Sequence, residues 1–309
     1  NSNLQVTEAH DTAFDPLTQI AITGNQDTGT SEQIFTGDVV WRALQNGDGG
    51  DVAVDAVSEF VNAQSLRYSS FQFLSSLRRR TYDINNEIVD IEFPDLIIVD
   101  GRPFSGQFKT PFILNQVNPD RVLIGGAEGV YESLDRADTA SEIGPDIVVN
   151  QLGGRAAAYG AVGNEDLLFV GSGDAIFRRQ APGDPLNPLT LPAGGTIVDI
   201  ALDVDDPQHV LYIDASNVLR STDGGDSFTP VTGNLDVPGL NRLRALAFVP
   251  GPDFDAVFVG GDRGLYASTS TSGFSGWVPF GTNVPAVPIY EFDYDGQMDT
   301  LVVGTLGRG

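Results

Sequence analysis

The chain of 309 residues sets 42 acidic side chains against 17 basic ones, a formal charge of −25. A surface field of that sign repels nucleic acid and anionic membranes, so neither is expected as a partner. The absence of cysteine excludes disulfides and thiolate chemistry. A hydrophobic content of 41% suffices for a large core, and no apolar run is long enough to span a membrane. With 36 glycines and 18 prolines the chain should be rich in turns and poor in long helices. It begins without Met and stops at Gly309, which reads as a piece of a larger secreted or surface-attached bacterial protein.

Taken in order, one unit recurs: an alternating apolar strand, a turn carrying Asp, Asn, Pro or Gly, and a second apolar strand ending in small residues. It starts at Ala13 (AFDPLTQIAITGNQ), Ala53 (AVDAVSEFVNAQS), Ile113 (ILNQVNPDRVLIGG) and Ala161 (AVGNEDLLFVGSG). Further copies begin at Ala201 (ALDVDDPQHVLYIDA), Ala247 (AFVPGPDFDAVFVGG) and Asp293 (DYDGQMDTLVVGT). The turn positions Asp15, Asp55, Asn118, Asn164, Asp206, Gly251 and Asp295 are mostly about 40 to 46 residues apart, the period of four-stranded propeller blades. The longer gap between Asp55 and Asn118 predicts an insertion within residues 82–106. The expected fold is an all-β propeller of four-stranded antiparallel blades. Seven units imply seven blades, with six and eight as the neighbouring counts, and the whole chain 1–309 as one propeller domain.

The stretch Leu219–Phe228 (LRSTDGGDSF) holds the pattern S-x-D-x-G-x-x-aromatic in Ser221, Asp223, Gly225 and Phe228. The Ser and Asp side chains can cap amides of a tight turn, and the glycines can take positive φ. The aromatic can then bury at the start of the next strand. Ser133-Leu134-Asp135 keeps only the front half, Ser268–Trp277 lacks the Asp, and Arg179–Leu186 keeps only a turn.

These residues, with the repeat and the closing Gly304–Gly309, resemble the Asp-box (BNR-repeat) β-propeller superfamily of sialidases, xyloglucan hydrolases, sortilin-type receptors and photosystem-assembly factors. Gly24–Thr30 (GNQDTGT) and Asn46–Asp51 (NGDGGD) resemble paired tracts of large secreted bacterial members. A sialidase likeness implies an Arg-Ile-Pro motif and an arginine triad; no Arg-Ile-Pro occurs, and the first 40 residues hold no arginine. A xyloglucan-hydrolase likeness implies two facing catalytic aspartates, for which Asp27 and Asp48 are the candidates, with Asp51 as substitute. An assembly-factor likeness implies an arginine-rich surface. Arg78-Arg79-Arg80 is the sole basic cluster, and it reads better as a locally paired strand edge.

Calcium is a possible cofactor, since Asp48, Asp51 and Asp55 offer oxygen ligands at short spacing among glycines. Asp203, Asp205 and Asp206 form a second acidic run that reads better as a turn. His10 and His209 are the only histidines and cannot build a zinc site without cysteine. Gly171–Asp174 is a loop rather than a phosphate cradle. Trp41, Trp277, Phe280, Tyr290, Phe292 and Tyr294 are candidate sugar-stacking platforms, although packing between blades suits most of them better.

The functional expectation is a non-catalytic extracellular recognition or adhesion module at the cell surface. It binds a glycan or an extracellular protein through loops that include Asp27, Trp41 and Asp48, with calcium as a stabiliser. The alternative is a glycoside hydrolase using Asp27 and Asp48, and a structural spacer within an adhesin is a third reading.

Overall fold

The computed structural model describes residues 7–55, 63–151 and 154–307. Two compact units emerge, Asn1–Val148 with Asp293–Gly309, and Val149–Phe292. Parts of two sequence repeats, residues 56–62 of the second repeat and Arg308-Gly309 of the closing run, lie outside the described residues.

The first unit is built of consecutive antiparallel meanders. β1 (Ala9–Asp15), β2 (Ile20–Asn25), β3 (Gly29–Gln33) and β4 (Trp41–Gln45) form the first. β5 (Gly49–Asp55), β6 (Gln64–Phe71), β7 (Arg78–Asp83) and β8 (Ile88–Glu92) form the second. The third joins β10 (Phe112–Leu114), β11 (Val122–Gly125), β12 (Gly129–Ser133) and β13 (Thr139–Pro145). The short β9 (Ile97–Ile98) adds to it in parallel on the outer side of β13. The predicted insertion therefore holds the outer strand of one sheet and a segment that crosses to the next.

In the second unit β14 (Ala157–Ala161), β15 (Asn164–Ser172), β16 (Ala175–Arg179) and β17 (Asn187–Pro188) make one sheet. β18 (Asp199–Leu202), β19 (Val210–Ile213), β20 (Val218–Ser221) and β21 (Thr229–Pro230) make the next. β22 (Leu243–Val249), β23 (Ala256–Gly261), β24 (Gly264–Thr269) and β25 (Val278–Pro279) complete it. The chain closes with the two-stranded β26 (Ile289–Asp295) and β27 (Thr300–Thr305).

The count of seven four-stranded blades is thus corrected to six among the described residues, with the seventh repeat supplying two strands. The repeat signal is carried by each unit's first two strands, which the seventh repeat has, so the pattern registers it as a blade. Within the first unit that hairpin is tied to the start of the chain. Glu8 bridges Leu306, and the Phe14 amide donates to Asp293 Oδ2 at 2.6 Å.

Two recurring acid roles explain the turn pattern. At the end of a first strand an Asx side chain accepts amides two and three residues on. Asp15 takes Leu17 and Thr18, Asn115 takes Val117 and Asn118, and Asp203 takes Asp205 and Asp206. The run Asp203-Val204-Asp205-Asp206 is therefore a turn. The second role links neighbouring first strands through a carboxylate. Asp11 accepts from the Val52 amide, Asp51 from Phe112, and Asp199 from Leu246.

Apolar clusters fill the spaces between sheets in the second unit, with Trp277 buried among Val231, Leu235 and Phe274. The first unit follows this scheme between its second and third sheets and departs from it between the first two. Between its first two sheets the apolar cluster is small, Ala13, Ile22 and Val52, and a buried ionic group takes much of the space. Arg67 is 1% exposed and donates to Asp15 Oδ2 at 2.6 Å and Glu32 Oε2 at 2.7 Å. Its guanidinium also lies 3.8 Å from the Tyr82 ring centroid, and burial pushes that phenol's pKa up.

Candidate functional site

The two glycine-rich tracts meet. The Asp27 amide donates to Asp48 Oδ1 at 2.9 Å, so the structure does bring these two acids together. The glycines between them serve backbone proximity. A Cβ on Gly24 would sit 1.9 Å from the Gly50 carbonyl oxygen, and one on Gly29 1.9 Å from that of Gln45. Asp27 itself turns the β2–β3 corner at φ +60. These tracts are thus a packed pair of corners, with one carboxylate capping the other corner's amide. Trp41, the remaining predicted binding residue, lies at the start of β4 and is 38% exposed.

The three acids offered to calcium do not converge. Asp51 and Asp55 lie four residues apart on the extended β5, about 13 Å along the strand. Asp51 already accepts the Phe112 amide and faces the Lys109 ammonium at 3.5 Å, while Asp48 caps Asp27. Among the described residues no group of three or more Asp, Glu or His is placed to hold a metal ion. Extended strand geometry spreads residues that the sequence places close together.

The turn after β20 works as its sequence implies. Ser221 Oγ accepts the Gly225 amide at 2.8 Å and donates to Asp223 Oδ1 at 2.7 Å. Asp223 in turn accepts the Ser227 amide and hydroxyl, and Phe228 buries edge-on against Tyr212. The turn after β12 repeats every one of these side-chain bonds. Ser133 Oγ accepts from Ala137 and donates to Asp135, and Asp135 accepts from Thr139 twice. Here Arg136 and Ala137 take the positive φ angles, +62 and +71, that Gly224 and Gly225 take in the other turn. Without glycines the motif was legible only in its front half.

Asp223's carboxyl is held down at a pKa of about 2, chiefly by the Ser227 hydroxyl and then by Ser221. A group depressed in the folded state stabilises above its unfolded value, about 3.9, and that contribution disappears as the pH falls through about 2. A carbon-13 titration of the Asp223 carboxyl should therefore show a midpoint near 2. A midpoint near the free-aspartate value of about 4 would mean the turn bonds do not persist in solution.

A concave site lies elsewhere, in the first unit, where the insertion leaves β8. A groove of about 700 Å³ is bounded by residues 73, 74, 76, 77, 93–98 and 101–104, within the range of small-ligand pockets. Buried Leu74, Leu77, Leu96 and Ile98 are among its lining residues, and Phe73, Phe93 and Ile97 stand exposed at 54%, 63% and 60%. Four non-glycine lining residues, Phe73, Leu74, Ser76 and Leu96, hold φ between +46 and +62. Strained backbone of this kind persists only where the surroundings enforce it. Here Phe73 donates its amide to Phe108 O at 2.9 Å, and its ring meets that of Phe108 edge-on.

Charges at the groove are largely engaged. Arg102 pairs with Asp100 and Glu142, and Arg78 lies over Phe71 and Phe93 at 5.9 and 5.6 Å. Arg79 pairs with Glu92 and Asp138, and the buried Arg80 donates to Ser69 Oγ. Within the arginine run Arg79 is ion-paired, Arg80 is held by Ser69, and Arg78 rests over aromatic rings. Among the lining residues Asp95 is the single carboxylate. No signal in the sequence marks the groove beyond the lengthened repeat.

No protein-family model and no curated protein matches the sequence. Solved structures do. YCF48 from Cyanidioschyzon merolae aligns with a TM-score of 0.62 at 10% identity, over 99% of this chain and 94% of that one. An ancestral GH74 enzyme aligns with a TM-score of 0.56 at 12% identity, over 76% of this chain. This chain matches only 32% of the GH74 enzyme's length. The computationally designed Ika8 protein aligns with a TM-score of 0.52 at 11% identity, over 97% of this chain and 81% of that one. The chain is similar to all three in fold, an all-β propeller with four-stranded antiparallel blades.

Proposed function

We propose that this propeller is a non-catalytic recognition module that binds a protein segment through the groove of the first unit. The observation that carries the reading is the groove itself, where exposed Phe73, Phe93 and Ile97 stand beside buried Leu74, Leu77, Leu96 and Ile98 on strained backbone. Exposed apolar surface in a concave setting favours an apolar side chain over a sugar. Glycoside hydrolysis requires two carboxylates about 5 to 10 Å apart, whereas the groove is lined by Asp95 alone. Membership of the Asp-box type and an extracellular setting belong to the same proposal. The two matching Ser–Asp turns support the first and the charge of −25 supports the second.

The test uses a flexible Gly-Ser peptide carrying one Phe and one Leu, with xyloglucan offered in parallel. Saturable peptide binding is expected, lost in Phe93→Asp and in Ile97→Asp and retained in Asp27→Asn and Asp48→Asn. Release of reducing sugar from xyloglucan, abolished by Asp27→Asn or Asp48→Asn, would contradict the reading in favour of a hydrolase.

A further inference from the structure

Outer strands expose unpaired amides and carbonyls, and folded proteins guard them by shortness, proline, charge or a covering segment. In this chain β17, β21 and β25 are two residues long and each ends in proline, at Pro188, Pro230 and Pro279. The outer side of β13 is covered by β9. The pairing of β4 to β3 is irregular, and its Arg42 is anchored to Glu32 and to the Asn86 carbonyl.

β8 is guarded by neither shortness, proline nor a covering segment, but by its own Asp90 and Glu92 and a register shift in its pairing to β7. It is five residues long, lies at the edge of its sheet, contains no proline and is exposed at every residue. Ile88, Val89 and Ile91 stand 38%, 51% and 42% exposed. From Glu92 the chain passes directly into Phe93, which lines the groove. We infer that β8 is a docking edge that takes up an extended peptide of alternating apolar and basic residues, a refinement that rests on the protein-binding reading above.

Charge selects that occupant. Asp90 lies on β8, Glu87 beside it faces the field of Arg42, and Asp95 follows within the groove lining. A strand laid on β8 would set Lys or Arg across from these carboxylates, with apolar residues beside Val89 and Ile91. Opposite-charge and apolar cross-strand pairs each contribute about 0.2 to 1 kcal/mol. A second copy of this chain is disfavoured, because it would bring Asp90 and Glu92 against the same acids on a molecule also carrying −25. The sheet next along shows the same addition within the chain, where β9 pairs with the outer edge of β13.

The probe is a short peptide alternating Val and Lys, compared with its Val–Glu counterpart and with a form N-methylated at alternate amides. At low salt the Val–Lys peptide should bind, the Val–Glu peptide should not, and N-methylation should weaken binding about tenfold or more by deleting strand hydrogen bonds. The exposed substitution Asp90→Lys should weaken the Val–Lys peptide about threefold to fivefold and let the Val–Glu peptide bind. Binding that ignores both N-methylation and Asp90→Lys, yet is lost in Ile97→Asp, would overturn the edge and leave the groove reading intact. Failure of Val–Lys to bind while the Phe/Leu peptide binds would do the same. A concentration-dependent dimer that disperses in Val89→Lys would overturn it in favour of a second copy.

Discussion

Replacing Arg67 with Met should destabilise the protein by about 3 to 5 kcal/mol, the usual cost of removing one partner from a buried ionic group. Asp15 and Glu32 are both fully buried, and Arg67 is the residue that bridges them. Asp15 would keep its turn amides and the Ser65 hydroxyl, and Glu32 would keep Arg42. Neither acid would keep a buried cation bound to both sheets. The loss would also uncover the Tyr82 ring face on which the guanidinium lies. Urea denaturation followed by circular dichroism measures the effect, and a loss below about 1 kcal/mol would mean that water reaches the acids.

Gly29→Ala should cost about 2 to 5 kcal/mol. Gly29 sits at φ +78, and a Cβ there would meet the Gln45 oxygen at 1.9 Å and its carbonyl carbon at 2.7 Å. Both are backbone atoms at the corner where the two glycine tracts pack, so relief requires the corner to move. Positive φ contributes about 1 to 2 kcal/mol for a residue with a Cβ, and overpacking contributes about 1 to 3 more. Gly47→Ala is the matched control. It shares a positive φ, +109, but its Cβ would find only the Phe71 ring at 3.6 Å. The control should therefore lose only the conformational part, about 1 to 2 kcal/mol. Equal losses for the two variants would show that the tracts do not pack as described.

The residues that signal regular structure also announced the fold. Runs such as VLIGG, LLFVGS and VLYIDA became buried strands, and the Asx residues at first-strand ends became turn acceptors because their side chains satisfy amides locally. The turn at Ser221 was legible since glycine marks positive φ. Its twin at Ser133 was half hidden, since Arg136 and Ala137 carry the same angles without announcing them. The blade count exceeded the six complete sheets because the seventh repeat has the two strands that carry the pattern and lacks the outer pair.

The candidate site was less legible, for reasons that are equally physical. Asp27 and Asp48 meet through an amide-to-carboxylate bond, and their short Gly-rich spacing serves backbone contact as readily as ligand binding. Asp51 and Asp55 look adjacent in sequence yet are spread along an extended strand. The groove arises from residues at 73–77 and 93–104, drawn together by the crossing of β9 to the neighbouring sheet. No local pattern encodes such a crossing. The ionic centre at Arg67 is likewise assembled from three separate strands, so none of its acids stood out from the other surface-like carboxylates.

The most direct test is amide hydrogen exchange of the protein with and without the Phe/Leu Gly-Ser peptide. If the groove is the recognition site, protection should rise at residues 73–77 and 93–104 while residues 24–30 and 46–51 stay unchanged. Protection confined to the two glycine-rich corners, with the groove unaffected, would contradict it and return the site to Asp27 and Asp48.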